Sequence, residues 1–261
     1  MIKDFDYTDD QIIDLLNGIY DGSITEYAID KGLYEATANY LKKGLYEGFG
    51  GTIVDFVGEE LSVLTEMREN IYMFSAAKSF QQIKDIRSIM FDDAGKLLPK
   101  NQFFKKAEST FEQWNDAWGR TEYNTAHGQA VMGKQWVKIE SEKDILPILT
   151  FSTNNKPCDK CATYNGFSAY VWDNIWTWLT PLLHFNCGCI VIQNEESHGV
   201  SSIKEHQKIA KLKDNIPELF QMNPGIDKYV FDPKTHPYFQ VEKKDIKFAK
   251  SNFYLPIPNK D

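Results

Sequence analysis

A chain of 261 residues with 42% hydrophobic and 25% charged side chains has the composition of a folded globular protein, which excludes wholesale disorder, collagen and a coiled-coil rod. Its net charge of −8 is uneven: residues 1–100 hold 10 basic against 18 acidic side chains, residues 101–200 hold 8 against 11, and residues 201–261 hold 11 against 8. That is the wrong sign for a protein built to coat a phosphate backbone, and no run of about 18 apolar residues offers a membrane span.

The acidic start Met1-Ile2-Lys3-Asp4-Phe5-Asp6 has no apolar stretch, so no secretory signal is expected and synthesis in a cytoplasm is. Residues 1–100 then read as helices. Thr8-Asp9-Asp10-Gln11 is a capping box followed by an apolar face of Ile12, Ile13, Leu15, Leu16 and Ile19, stopped by Asp21-Gly22. A second box, Ser23-Ile24-Thr25-Glu26, predicts a longer helix carrying Ile29, Leu33, Ala36, Tyr40, Leu41 and Leu45 and ending at Gly48–Gly51. A third helix is expected through Leu61, Leu64, Met67, Ile71 and Phe74, and a fourth through Phe80, Ile83, Ile86 and Met90. From Phe103 to Gln135 a long helical pattern follows, with a kink or break expected because Gly119, Gly128 and Gly133 each weaken it by roughly 1 kcal/mol relative to Ala. The period then changes. Strands are predicted over 136–140, over 145–151, where Pro147 points to an edge or a bulge, and over 189–193. The last 60 residues are weakly periodic, and Tyr254-Leu255-Pro256-Ile257-Pro258 favours an extended arm.

All four cysteines fall between residues 158 and 189, in the pattern Cys158-x2-Cys161, then His184-x2-Cys187-x-Cys189. Five candidate ligands beside short strands suit tetrahedral zinc, which needs four. The competing readings are buried reduced thiols and disulfides. A catalytic version also exists: His127-Gly128-Gln129 followed by Pro157-Cys158-x2-Cys161 has the layout of a zinc deaminase. Residue 129 is Gln, however, and an amide cannot shuttle the proton. A closed structural site uses more of the cluster, pinning the loop that carries Trp172, Trp176 and Trp178.

At this point the chain resembles the phage Mu F-like head morphogenesis, or minor head, proteins. The likeness rests on Arg120-Thr121-Glu122-Tyr123-Asn124-Thr125-Ala126, on Trp136 followed by Cys158-x2-Cys161 and Asn165-Gly166, and on Pro181-Leu182-Leu183-His184-Phe185-Asn186-Cys187-Gly188-Cys189 leading into the strand from Ile190. It covers about residues 103–193. Leu182 and Phe185 stand where that family has proline, and Gly188 where it usually has arginine, so any polar contact made by that arginine is lost. The resemblance implies a minor structural component of a tailed-phage head, in the virion near the portal, capsid proteins and packaged DNA.

Other residues read as structure. Arg120 or Glu122 is expected to bridge to the β region, Trp114 and Trp118 to lie in core, and His198, His206 and His236 to lie at the surface. Lys204, Lys208, Lys211 and Lys213 form a basic stripe, most simply a solvated helix face. The expected architecture is α+β: an acidic helical region over 1–100, a Mu F-like core with the cysteine cluster over 101–197, and a mildly basic segment over 198–261. The arm over 250–261 is expected to dock on a neighbouring chain. The expected function is non-enzymatic, with a zinc-dependent deaminase or hydrolase and a DNA-binding interaction module as alternatives.

Overall fold

A computed structural model describes residues 5–154 and 159–258. It is α+β, as expected. Five helices come first: α1 (Asp9–Asp21), α2 (Lys31–Phe49), α3 (Gly58–Ser88), α4 (Lys100–Glu112) and α5 (Trp118–Glu142). Strands β1 (Ile148–Ser152), β2 (Ser168–Tyr170) and β3 (Ile190–Asn194) follow, then short helices α6 (Ile203–Ala210), α7 (Pro224–Asp227) and α8 (Ile246–Lys250). No helix among the described residues is long and apolar enough to cross a membrane. The chain forms two compact units, one from 1–43, 69–123 and 236–261, the other from 44–68 and 124–235. These cut across the expected boundaries near 100 and 197, because α2, α3 and α5 each contribute residues to both units.

In the first unit, α1 starts as its sequence dictates. Thr8 and Gln11 form the reciprocal capping box, and Gly22, at φ 85°, ends the helix in a conformation that glycine adopts without a Cβ penalty. The second box does not open α2. Asp30 caps it instead, its carboxylate accepting from the Leu33 amide at 2.7 Å and from the Tyr7 hydroxyl at 3.0 Å, while the Ser23 hydroxyl turns back to the Gly18 carbonyl. The expected third and fourth helices are one element of 31 residues, α3, since Ala76 and Ala77 between them favour continuation. Its Tyr72, Ala76, Ala77 and Phe80 pack with Tyr34 and Ala38 of α2 and with Phe248 and Phe253.

The break in the long helical pattern exists, but not at a glycine. Residues Gln113–Ala117 form a π-helical turn between α4 and α5. There the Trp114 carbonyl accepts from Lys78 Nζ at 2.8 Å, and the same ammonium donates to Glu122 Oε2. Tyr238 donates to the other Glu122 oxygen at 3.1 Å. Burial, followed by the Glu122 charge, pushes the Tyr238 phenol well above its ordinary value. Glu122 therefore does not bridge to the β region, and Arg120 pairs with Asp116 one turn earlier in the chain. His236, expected at the surface, is buried against Phe74 and Tyr238.

The end of the chain also differs from expectation. After α8, residues Asn252, Phe253 and Tyr254 are left-handed (φ 50°, 56° and 59°), and only 255–258 are extended. Phe253 is buried, Leu255 and Ile257 pack on the aromatic cluster, and the Tyr34 hydroxyl donates to the Pro256 carbonyl. Of the arm over 250–261 expected to anchor on a neighbour, Phe253, Leu255 and Ile257 are seated in their own unit, Tyr254 is exposed, and 259–261 lie outside the described residues.

In the second unit, helix replaces the strand expected over 136–140. Met132, Trp136 and Ile139 are buried at a spacing of four and three, so α5 runs on to Glu142. Its glycines are contact points. A Cβ on Gly128 would lie 2.9 Å from Leu182, and one on Gly133 would lie 3.1 Å from the Met67 sulfur. At Gly48 of α2 an added Cβ would sit 2.2 Å from the His127 carbonyl oxygen, a backbone atom that cannot rotate away. Gly48→Ala is therefore expected to lose at least ~2 kcal/mol in urea denaturation despite its better helix propensity; an unchanged midpoint would mean that the crossing relaxes freely.

The sheet has the order β2-β1-β3 and is antiparallel throughout. β1 is thus the central strand. Pro147 does not force it to an edge because it stands just before Ile148, where its carbonyl accepts from Val171 and its missing N–H is not called on. Leu149 pairs with Ala169 and Gln193, and the face carrying Leu149, Phe151, Ala169 and Val191 buries against Trp136, Ile139, Trp176 and Phe220. Several outward-facing backbone groups are also satisfied. Ser168 exchanges bonds with Ser201, Tyr170 accepts from the Trp176 indole, and Val191 accepts from the Gln135 side chain.

Candidate metal centre

The site is built on two turns. Cys161 leads into the short 3₁₀ turn Ala162–Tyr164, where its carbonyl accepts from the Tyr164 amide. The second turn runs from His184 to Cys187: the Cys187 amide donates to the His184 carbonyl at 3.1 Å, and Asn186 takes a left-handed φ of 58°, which a short polar side chain tolerates. Asn186 accepts from Asn124 of α5 at 3.3 Å, and Leu182 lies against Gly128, so α5 fixes the turn from two points. Gly188 then carries the chain to Cys189 and into β3.

These turns bring Cys161 Sγ, one His184 ring nitrogen and Cys187 Sγ within 4.8 Å of one another. The Cys189 thiol completes a hydrogen-bonded set with Cys161 and Cys187. All three cysteines are buried and none is in a disulfide, while His184 is half-buried. Cys158 lies outside the described residues. Four of the five predicted ligands are thus gathered in one place.

Hydrogen bonds from the Cys161 and Cys189 thiols, joined by the Leu183 and Cys189 amides, push the Cys187 thiol well below its ordinary range. Cys161 moves the opposite way, since hydrogen bonding to Cys187 and Cys189, with burial, keeps its proton on. His184 Nδ1 lies 2.8 Å from the Phe185 carbonyl. A carbonyl can only accept, so Nδ1 carries the hydrogen and Nε2 presents a lone pair. This second interaction is the kind that sets the tautomer of a metal-binding histidine. Three sulfurs and an imidazole match the donors of a borderline-soft tetrahedral ion, and four protein ligands would leave no open coordination position.

Among the described residues, His127 and Cys161 of the deaminase layout are not grouped together: His127 is exposed on α5, Cys161 lies with His184 and Cys187, and Gln129 is buried with its Oε1 unpartnered. Of the loop tryptophans, Trp176 and Trp178 are buried. Trp172 is 63% exposed and stacks on Tyr170 at 4.8 Å. Beyond the cluster, Thr150 Oγ1 lies 3.1 Å from His198 Nε2 and 2.8 Å from Ser168 Oγ, and accepts from Asn194, which ties the Glu196–His198 turn to the sheet. His206 pairs with Asp173 at 3.0 Å. The supports missed from sequence are Asn124, Gly128 and Leu182. The signal available was a glycine kept inside a long helix.

Comparisons with family models, with curated proteins and with solved structures give no match to this chain.

Proposed function

We propose that this chain is a non-enzymatic minor head protein of a tailed bacteriophage or prophage, acting beside the portal and capsid proteins in head morphogenesis or DNA delivery, with a structural zinc ion at its Cys/His cluster. The observation carrying this reading is the Cys/His cluster. Cys161, His184 and Cys187 bring their donor atoms within 4.8 Å of one another, with Cys189 beside them at the start of β3 and the His184–Cys187 turn held on α5, the helix bearing the Arg120–Ala126 motif. That is the order of parts on which the resemblance to Mu F-like proteins rests. A site closed by four protein ligands stabilises a fold and leaves no position for substrate. Residue 129, which would have to be a carboxylate for deamination, is an amide. Mass spectrometry of particles purified from a host carrying the gene tests the head assignment. The chain is expected in particles at low copy, and its absence from both particles and assembly intermediates would overturn it. Elemental analysis of protein prepared without chelator is expected to find one zinc per chain.

A further inference from the structure

We propose that a cleft on the first unit, walled by Trp114, Trp118, Tyr238 and Asp85, binds the guanidinium of an arginine side chain presented by a partner polypeptide. The cleft measures about 470 Å³. Trp114 is its buried member: it stacks on Tyr238 at a centroid distance of 5.1 Å and meets Trp118 at 4.8 Å with the planes at 66°. Trp118 closes the π-helical turn, its amide donating to the Gln113 carbonyl, and at 38% exposure it supplies the accessible aromatic surface. Such turns recur at functional sites. The other two rings are fixed by their own polar atoms. The Trp114 indole donates to Asp85 Oδ2 at 2.8 Å, and the Tyr238 hydroxyl is spent on buried Glu122.

The polar groups on the wall select the charge of the ligand. Gln81 Nε2 is spent on the Tyr238 and Gln240 carbonyls at 3.2 and 3.3 Å, and the Ser88 hydroxyl on the Asp85 carbonyl at 2.7 Å. The Lys84 ammonium is paired with Glu242. Among the described residues, the wall's side-chain atoms left without a partner include two acceptors, Asp85 Oδ1 and Gln81 Oε1, beside the Trp118 indole N–H. Asp85 makes no ion pair among the described residues, so its charge stands uncompensated beside the rings. Aromatic faces next to such a carboxylate attract a cation. A guanidinium suits both features, because its plane stacks on an indole while its N–H groups donate to the two open oxygens. A lysine ammonium is a compact, strongly hydrated charge with no flat face to offer. Lys84 is already paired, so the wall holds no cation for an α-carboxylate, which favours arginine within a chain over the free amino acid.

Titration of the isotope-labelled full chain, followed on the indole resonances of Trp114 and Trp118, tests this. N-acetyl-arginine methylamide is expected to shift both resonances saturably and to bind more tightly than free arginine. Its citrulline counterpart, a neutral urea of the same shape, is expected to bind about tenfold more weakly or worse, and Asp85→Asn should weaken the arginine probe equally. That variant keeps an oxygen for the Trp114 indole, so the wall retains its support. Trp118→Ala, followed on Trp114, should abolish binding. The absence of a saturable shift would overturn the proposal, as would undiminished binding by the citrulline probe, by Asp85→Asn or by Trp118→Ala. Tetramethylammonium or free arginine binding at least as tightly as the blocked arginine would overturn it too. Should Trp118→Ala fail to fold by circular dichroism, Asp85→Asn and the citrulline probe decide.

Discussion

Removal of metal by a strong chelator is expected to destabilise the second unit by at least ~3 kcal/mol, seen as a lower thermal midpoint that zinc restores. Structural zinc contributes roughly 10–16 kcal/mol in peptides with little other core. Here β1–β3 and Trp176 supply a core of their own, so the loss should be a fraction of that. Cys187→Ser is expected to act like the chelator, because it removes one of the sulfurs gathered with Cys161 and His184. His127→Ala should leave both metal content and midpoint unchanged, since that side chain is exposed and outside the cluster. Protein that arrives metal-free with reduced thiols, and that gains nothing from added zinc, would return the cluster to the reading of packed thiols.

Lys78→Met should be the most damaging single substitution in the first unit, at roughly 3–5 kcal/mol by chemical denaturation. Both members of the Lys78–Glu122 pair are buried, with side-chain exposures of 1% and 6%. Removing the ammonium strands a carboxylate that only Tyr238 then serves, and deprives the Trp114 carbonyl of its second donor. Neutralising both partners removes the penalty at its source. Lys78→Met combined with Glu122→Gln, whose amide oxygen can still accept from Tyr238, should therefore recover more than half of the single-variant loss. A double variant no better than Lys78→Met would show that the ion pair itself, rather than an orphaned charge, carries the effect.

What the sequence revealed was chemistry confined to a few neighbouring residues. The Thr8–Gln11 box and the Gly22 stop depend on side chains within a turn of one another, and α1 formed as read. The cysteine cluster was legible because thiols and an imidazole at fixed short spacings have few other uses. The Ser23 box failed because Asp30 offered a charged cap nearer the apolar face, a competition that local spacing does not rank. Over five residues, Trp136 to Glu140, a period of 2 and one of 3.6 look alike, and only the burial of Met132 breaks the tie. β2 has three residues and carries almost no pattern. The Lys78–Glu122 pair spans 44 positions and joins residue types that usually face water, so nothing in the linear order announced it.

The bonds made by the outward backbone of the sheet bear on how copies of this protein can meet. A three-stranded sheet normally offers two rims on which a foreign strand can nucleate, and unguarded rims lead to fibrils and precipitation. Here both backbone groups of Ser168 and the carbonyls of Tyr170 and Val191 are already engaged by Ser201, Trp176 and Gln135. An incoming strand finds those groups taken. Self-association is thereby biased away from indiscriminate main-chain pairing and toward side-chain surfaces, where sequence sets the partner. Gln135 guards the Val191 carbonyl through a single amide, so a change at that one position would hand that acceptor back to any incoming strand.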